Sequence, residues 1–421
     1  MIKNIIYQQK EERDILLNQQ YINRIEENVI SEYLSTLLIK LITGPRRAGK
    51  SVLALQILKN QNFAYLNFDD ELLLNNFEEM EILKVLNEVY GNFKYLLLDE
   101  IQNLPNWELW VNKLHRRNIN IILTGSNANL LSRELATSLT GRYIQISVFP
   151  FSYKEFLLYN GIKFDFHNEL TPTTRGKLLN LLNTYMQNGG FPEIILNPGI
   201  LKNYLSSLFD SILLKDILKR FKIRQTSRFY ELSNYLLSNH TNFYTANHLK
   251  EHLGFNSVAT VQKFISYLEE PFLFFNLTKY DTKIRRQYKA PKKSYIIDNG
   301  FIKARSFELS HNYGRLLENL VFIELLRKNL KVGLDLFYYR TRNNREVDFL
   351  IRRGNSVEQL IQVCYDMSDI RTEKREINAL IEASAELNCS NLQIINWDKE
   401  DLLSKNNIKV NLIPLCKWLK P

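Results

Sequence analysis

The stretch Gly44-Pro45-Arg46-Arg47-Ala48-Gly49-Lys50-Ser51 lies between two apolar runs, Ile39-Lys40-Leu41-Ile42-Thr43 before it and Val52-Leu53-Ala54-Leu55-Gln56-Ile57-Leu58 after it. The first run has the length of a buried strand, and the second reads as a helix. Strand, glycine loop, helix is the context in which this pattern binds phosphate. The two glycines let the backbone wrap a triphosphate with its N–H groups pointing inward. The helix N-terminus adds partial positive charge at the same place. Lys50 is expected on the β- and γ-phosphates of ATP, and the Ser51 hydroxyl on Mg²⁺. All eight residues, Gly44 to Ser51, form the expected cradle. An ordinary glycine-containing turn is the alternative reading, and the flanking strand and helix count against it.

Working outward, Phe63-Ala64-Tyr65-Leu66-Asn67-Phe68 reads as a second strand, and Lys94-Tyr95-Leu96-Leu97-Leu98 as a third that runs straight into Asp99-Glu100. Acids at the carboxyl end of a buried parallel strand come close to the phosphate loop. Asp99 is expected to hold the Mg²⁺ water shell, and Glu100 to polarise the attacking water as general base. The next strand, Asn120 to Thr124, ends at Gly125-Ser126-Asn127. There Asn127 is expected to sense the γ-phosphate, the alternative being a capped turn. A fifth strand, Gly141 to Ile146, carries Arg142 at its start. That arginine could stabilise transition-state charge on its own nucleotide or on a second copy's, or form a surface ion pair. The in-trans version allows a homo-oligomer.

These motifs, followed by Phe149-Pro150-Phe151-Ser152-Tyr153-Lys154-Glu155-Phe156, resemble a bacterial and archaeal family of AAA-type ATPases. Members of that family carry a restriction-endonuclease-like C-terminal domain. The resemblance implies an α/β fold: a five-stranded parallel P-loop sheet with helices on both faces, with Lys50, Ser51, Asp99 and Glu100 in the Walker roles. Gly189-Gly190-Phe191-Pro192-Glu193 also resembles the family and is expected to close a small helical lid. The ATPase segment is therefore drawn as residues 1–200, its opening stretch to about Leu38 polar and helical.

The 421 residues suggest two to four domains, and 45% hydrophobic with 24% charged residues is the composition of a globular protein. No apolar run approaches the length of a membrane span, and the N-terminus lacks a signal-peptide pattern. Cys364, Cys389 and Cys416 are scattered without metal-ligand spacing, so a reducing cytoplasm is expected.

The net charge of +10 is uneven: Pro271 to Arg305 holds nine Lys/Arg against two Asp/Glu, and Leu201 to Tyr230 seven against two. These two stretches account for more than the whole excess. In the segment 201–305, Ala246 to Leu253 and Val258 to Glu270 read as helices joined by Gly254-Phe255-Asn256-Ser257, a helix-turn-helix pattern. Two strands then flank the cations Lys283, Arg285, Arg286, Lys289, Lys292 and Lys293. A basic hairpin after such a pair predicts a winged helix whose wing tracks DNA phosphates; packing or partner binding is the alternative.

In the segment 306–421, a helix from Gly314 carries Glu318, one strand holds Glu346-Val347-Asp348, and another holds Gln362-Val363-Cys364. The order resembles the restriction-endonuclease-like fold, whose active pattern pairs an Asp with a downstream Glu-x-Lys around Mg²⁺. Glu318 and Asp348 match that pattern. Gln362 and Cys364 stand where the Glu and Lys are required, so nuclease activity is not expected. The sequence thus predicts an ATP-binding, ATP-hydrolysing AAA-type protein with Mg²⁺ as cofactor, coupled to DNA or a protein partner. A slow nucleotide-gated winged-helix switch, or an ATP-controlled nuclease, are the alternatives.

Overall fold

A computed structural model describes residues 1–127, 141–162, 171–305, 312–405 and 408–419. By its contacts the chain separates into two compact units, one of residues 1–151 with 270–272, the other of residues 152–269 with 273–421.

In the first unit, helices α1 (Ile2–Leu17) and α2 (Glu26–Tyr33) precede strand β1 (Ile39–Thr43) and helix α3 (Lys50–Leu58). Then follow β2 (Phe63–Asn67), α4 (Glu79–Tyr90), β3 (Tyr95–Asp99), α5 (Trp107–Arg116), β4 (Asn120–Gly125) and β5 (Tyr143–Ser147). The five strands form one parallel sheet in the order β2-β3-β4-β1-β5. Their near-continuous apolar runs bury both faces, as parallel sheets require. Alternate residues divide between two cores. Ile39, Leu41, Leu66, Leu96, Leu98 and Leu123 pack with side chains of α1, α4 and α5, while Ile42, Tyr65, Leu97 and Ile122 pack with α3 and Ile30. Each fully buried Leu or Ile contributes about 1.5–3 kcal/mol.

Lys40 breaks the apolar run of β1. Fully buried, it donates to the carbonyls of Leu34 and Thr36 (2.5 Å) and to Asn120 Oδ1 (2.6 Å), and burial lowers its pKa to about 8.

The second unit begins with a helix from Tyr153 to Tyr159. It continues with α6 (Pro172–Asn188), α7 (Leu201–Ser211) with its π-helical extension to Lys219, and α8 (Thr226–Ser238). Residues 152 to 200, read from the sequence with the ATPase segment, therefore fall here. Gly189 and Gly190 wrap a carboxylate: Gly190 N–H donates to Asp298 Oδ2 at 2.7 Å, and a Cβ on Gly189 would lie 1.7 Å from Asp298 Oδ1. Next come β6 (Phe243–Tyr244), α9 (Ala246–His252), α10 (Val258–Glu269), β7 (Phe274–Leu277), α11 (Ile284–Lys289), β8 (Lys292–Ile296) and α12 (Asn299–Arg305). Strands β6-β8-β7 form an antiparallel three-stranded sheet, with α11 between β7 and β8. The boundary drawn at 305/306 abuts residues 306–311, which lie outside the described residues.

Helix α13 (Tyr313–Arg327) leads into a six-stranded mixed sheet of order β13-β14-β12-β11-β10-β9. Its strands are β9 (Leu336–Arg340), β10 (Glu346–Arg353), β11 (Ser356–Val363), β12 (Leu392–Asn396), β13 (Asp401–Lys405) and β14 (Ile408–Pro414). The amphipathic helix α14 (Ile370–Leu387) crosses from β11 to β12 and buries Ile377, Leu380 and Ala383 against that sheet. Among the described residues, no helix is long and apolar enough to cross a membrane.

Candidate nucleotide site

Because β1, β3 and β4 run parallel, their carboxyl ends open on one edge of the sheet. β4 lies between β1 and β3, so Thr124 to Asn127 stand between the phosphate loop and Asp99-Glu100. The loop turns where only glycine fits. A Cβ on Gly44 would lie 2.0 Å from the Val148 carbonyl oxygen, and Gly49 takes φ +94° directly before α3. Arg47 and Glu100 also adopt left-handed φ, +67° and +50°. Such strain in residues with side chains persists only where the surroundings impose it, commonly at functional sites.

The side chains converge on Asp99. Ser51 Oγ donates to its Oδ1 at 2.8 Å, Tyr65 OH to its Oδ2 at 3.2 Å, and Thr124 Oγ1 donates to Oδ1 as well. Thr124 Oγ1 in turn accepts the Glu100 N–H at 3.0 Å, so one hydroxyl sets both acids. Burial pushes Asp99 up to about 6, helped by the Glu100 charge. Burial acts the same way on Glu100, but there Lys50, the Gln102 hydrogen bond and Arg46 outweigh it and hold the carboxyl below its usual range. Glu100 is thereby kept ionised, the state a general base needs.

Lys50, almost wholly buried, donates to the Pro45 carbonyl at 3.1 Å and stands 3.7 Å from Glu100 Oε1. Gln102 Nε2 donates to Glu100 Oε2 at 2.5 Å and lies 3.3 Å from Ser126 Oγ. Asn127, buried at the end of β4, donates through Nδ2 to Glu270 Oε2 at 3.0 Å. The Ser51 hydroxyl and the Asp99 carboxylate are the hard oxygen donors that Mg²⁺ takes, and they already meet.

Arg142 is misplaced for a role on its own nucleotide. It precedes β5, and its carbonyl accepts from Ile39 N–H at the start of β1, on the edge opposite the phosphate loop. Four strand residues, about 13 Å, separate Ile39 from Thr43, more than an arginine spans. Strand direction, invisible in a motif, sets this distance and weighs against the in-cis alternative.

Several residues escaped the sequence reading. Tyr65 and Thr124 looked like ordinary strand residues. Buried Arg24 bonds the carbonyls of Ala48 (3.0 Å) and Phe149 (2.6 Å) and lies over the Phe151 ring, tying the loop to the stretch after β5. No local pattern marks it. Glu270 is 143 residues from its partner Asn127.

The C-terminal acids form a second buried cluster. Lys293 Nζ lies 2.7 Å from Glu318, 2.6 Å from Glu346 and 3.0 Å from Asp348. Lys293 is thus no DNA contact: it is 3% exposed, and its charge is spent on three carboxylates. Burial alone would lower its pKa, but these acids and Tyr295 raise it well above the usual lysine range. Gln362 accepts the Asp348 N–H through Oε1 and donates to Glu376 through Nε2. Cys364 is buried, its thiol pushed up to about 11 mainly by burial. By contrast Arg285, Arg286 and Lys289 on α11 are exposed and Lys292 is half-buried.

A parallel sheet with a phosphate loop after β1 and an acid pair closing β3 defines an AAA-type P-loop ATPase. The AAA domain family matches residues 37–157, and two domains of unknown function, DUF8612 and DUF4143, match 179–309 and 313–417. An uncharacterized protein of Methanocaldococcus jannaschii, MJ1544, is 36% identical over 397 residues, covering 90% of this chain and 88% of its own. One from Haemophilus influenzae is 32% identical over 355 residues, covering 80% and 85%. The chain belongs to their family of AAA-type P-loop ATPases. A solved Walker-type ATPase of Pyrococcus abyssi aligns with 69% of this chain and 99% of its own at 16% identity and TM-score 0.45.

Proposed function

We propose that this protein binds and hydrolyses ATP with Mg²⁺ and couples the cycle to DNA through the basic middle of the chain. One observation carries the reading: Lys50, Ser51, Asp99 and Glu100 share one sheet edge, with the two acids held in different protonation tendencies. The loop N–H groups and Lys50 bind the phosphates. Glu100, ionised and oriented by Gln102, accepts the proton of the attacking water. Asn127 senses the γ-phosphate. Ser51 and Asp99 would hold Mg²⁺, which when bound would neutralise charge on the transferring phosphoryl group. Arg142 serves a neighbouring copy, which makes the working form a homo-oligomer. Three buried, unpaired cysteines accord with a cytoplasmic setting.

The module of α8, α9 and α10 with the β6-β8-β7 sheet is, on this reading, a winged helix with α11 at its wing. Arg285, Arg286, Lys289 and Lys292 supply its contacts with phosphates. The C-terminal sheet, restriction-endonuclease-like in this account, is not a nuclease. Lys293 takes the seat between Glu318 and Asp348, and both ends of the Gln362 amide are engaged.

Steady-state hydrolysis with and without DNA tests the coupling. DNA should raise turnover in the wild type, and an Arg285→Gln/Arg286→Gln variant should lose that stimulation while keeping basal turnover. Hydrolysis indifferent to DNA, with no salt-dependent DNA binding, contradicts the coupling and leaves the switch reading in its place.

A further inference from the structure

Helix α11 buries none of its residues. Ile284 and Tyr288, four apart and so on one helix face, are 65% and 73% exposed. Exposed cations Lys283, Arg285, Arg286 and Lys289 surround them. Beside this helix opens a cavity of about 500 Å³, lined by Asn247, Gln262, Ser266, Tyr288, Lys289 and Lys292 among others. Glu269, an acid of the lining, already accepts a hydrogen bond from Asn276 at 2.8 Å.

A surface that only tracks a duplex needs cations, since phosphate contacts carry that affinity. An exposed aromatic ring among those cations contributes nothing to such tracking. It is what stacking on an unpaired base uses. The cavity has the volume of a small-molecule site, and its amide and hydroxyl side chains can bond base edges. A base within a duplex is already stacked and paired and cannot enter it. We infer that the groove between α10 and α11 receives a nucleotide of an unpaired nucleic-acid strand, its base stacked on Tyr288 and its phosphates on Lys289 and Lys292. This rests on the DNA reading above and narrows it from duplex tracking to single-strand capture.

Fluorescence anisotropy of the full chain at 50 mM salt, with a labelled 20-nucleotide oligodeoxythymidylate and a blunt 20-base-pair duplex, tests it. Tyr288→Ala should weaken oligonucleotide binding by about ten-fold or more and leave duplex binding within about two-fold. Tyr288→Phe, which keeps the ring, should restore it. Lys289→Gln should weaken both ligands and lower the salt slope by about one. Duplex binding that depends on Arg285 and Arg286 while the oligonucleotide is indifferent to Tyr288 overturns this inference and leaves the DNA reading standing. A wild type that binds neither ligand overturns both. Since Tyr288 is exposed, an unchanged thermal melt shows that any loss is not a folding defect.

Discussion

Two clusters among the described residues set a buried lysine against carboxylates, and they differ in what the lysine has left to give. Lys50 donates to a loop carbonyl and keeps 3.7 Å from Glu100, so its charge is only loosely committed and can be taken by a phosphate. Lys293 is held within 3.0 Å by three carboxylates from α13 and β10. The first cluster sits at the open edge of a parallel sheet beside a strained glycine loop; the second is closed within its own unit. A buried lysine is thus left able to take a phosphate in one place and is fully committed in the other. Saturation of the ammonium separates them.

The same substitution in both clusters should have opposite effects. Lys293→Met leaves buried Asp348 and half-buried Glu318 and Glu346 without their cation and should cost the second unit about 3–5 kcal/mol, with ATP affinity unchanged. Lys50→Met should abolish measurable ATP binding while altering stability by no more than about 1–2 kcal/mol. Denaturant unfolding and nucleotide titration of both variants read this out, and parallel losses in both assays would erase the distinction. The Lys293→Met penalty should shrink as pH falls. Burial already pushes Glu318 up to about 7 even with Lys293 beside it. Without the lysine, the folded state takes up protons that the unfolded carboxylates bind only near their ordinary range.

A smaller effect concerns a buried group that has no partner for a charge among the described residues and stays neutral instead. His240 is buried, its Nδ1 facing the Leu237 carbonyl, and burial with the Arg315 charge lowers its pKa to about 3. The folded state then refuses a proton that the unfolded chain accepts below about pH 6.5. Stability from this group is intact above that pH and falls toward pH 3 by up to about 1.4 kcal/mol per pH unit. His240→Phe should flatten that slope in urea unfolding between pH 7.5 and 5; an unaltered slope refutes the assignment.

What was legible in the sequence was local. The phosphate loop, its strand and helix, and the acid pair are each contiguous, and the apolar runs mark the strands because a parallel sheet buries both faces. What was not legible depends on partners far apart in the chain. Lys293 read as one more wing cation because Glu318, Glu346 and Asp348 lie 25 to 55 residues downstream. The place of Arg142, at the edge of the sheet away from the loop, was not legible because a motif carries no strand direction. The carboxylate that Gly189-Gly190 wraps was hidden because Asp298 is 108 residues from Gly190.

The central claim is that Glu100, kept ionised by Lys50 and Gln102 and set by Thr124, is the base of an ATPase. Single-turnover hydrolysis of ATP with Mg²⁺ by the wild type and by Glu100→Gln tests it most directly. The account predicts ATP affinity preserved in the variant and hydrolysis slowed by about 10²–10⁴-fold. Hydrolysis at the wild-type rate in Glu100→Gln would contradict it.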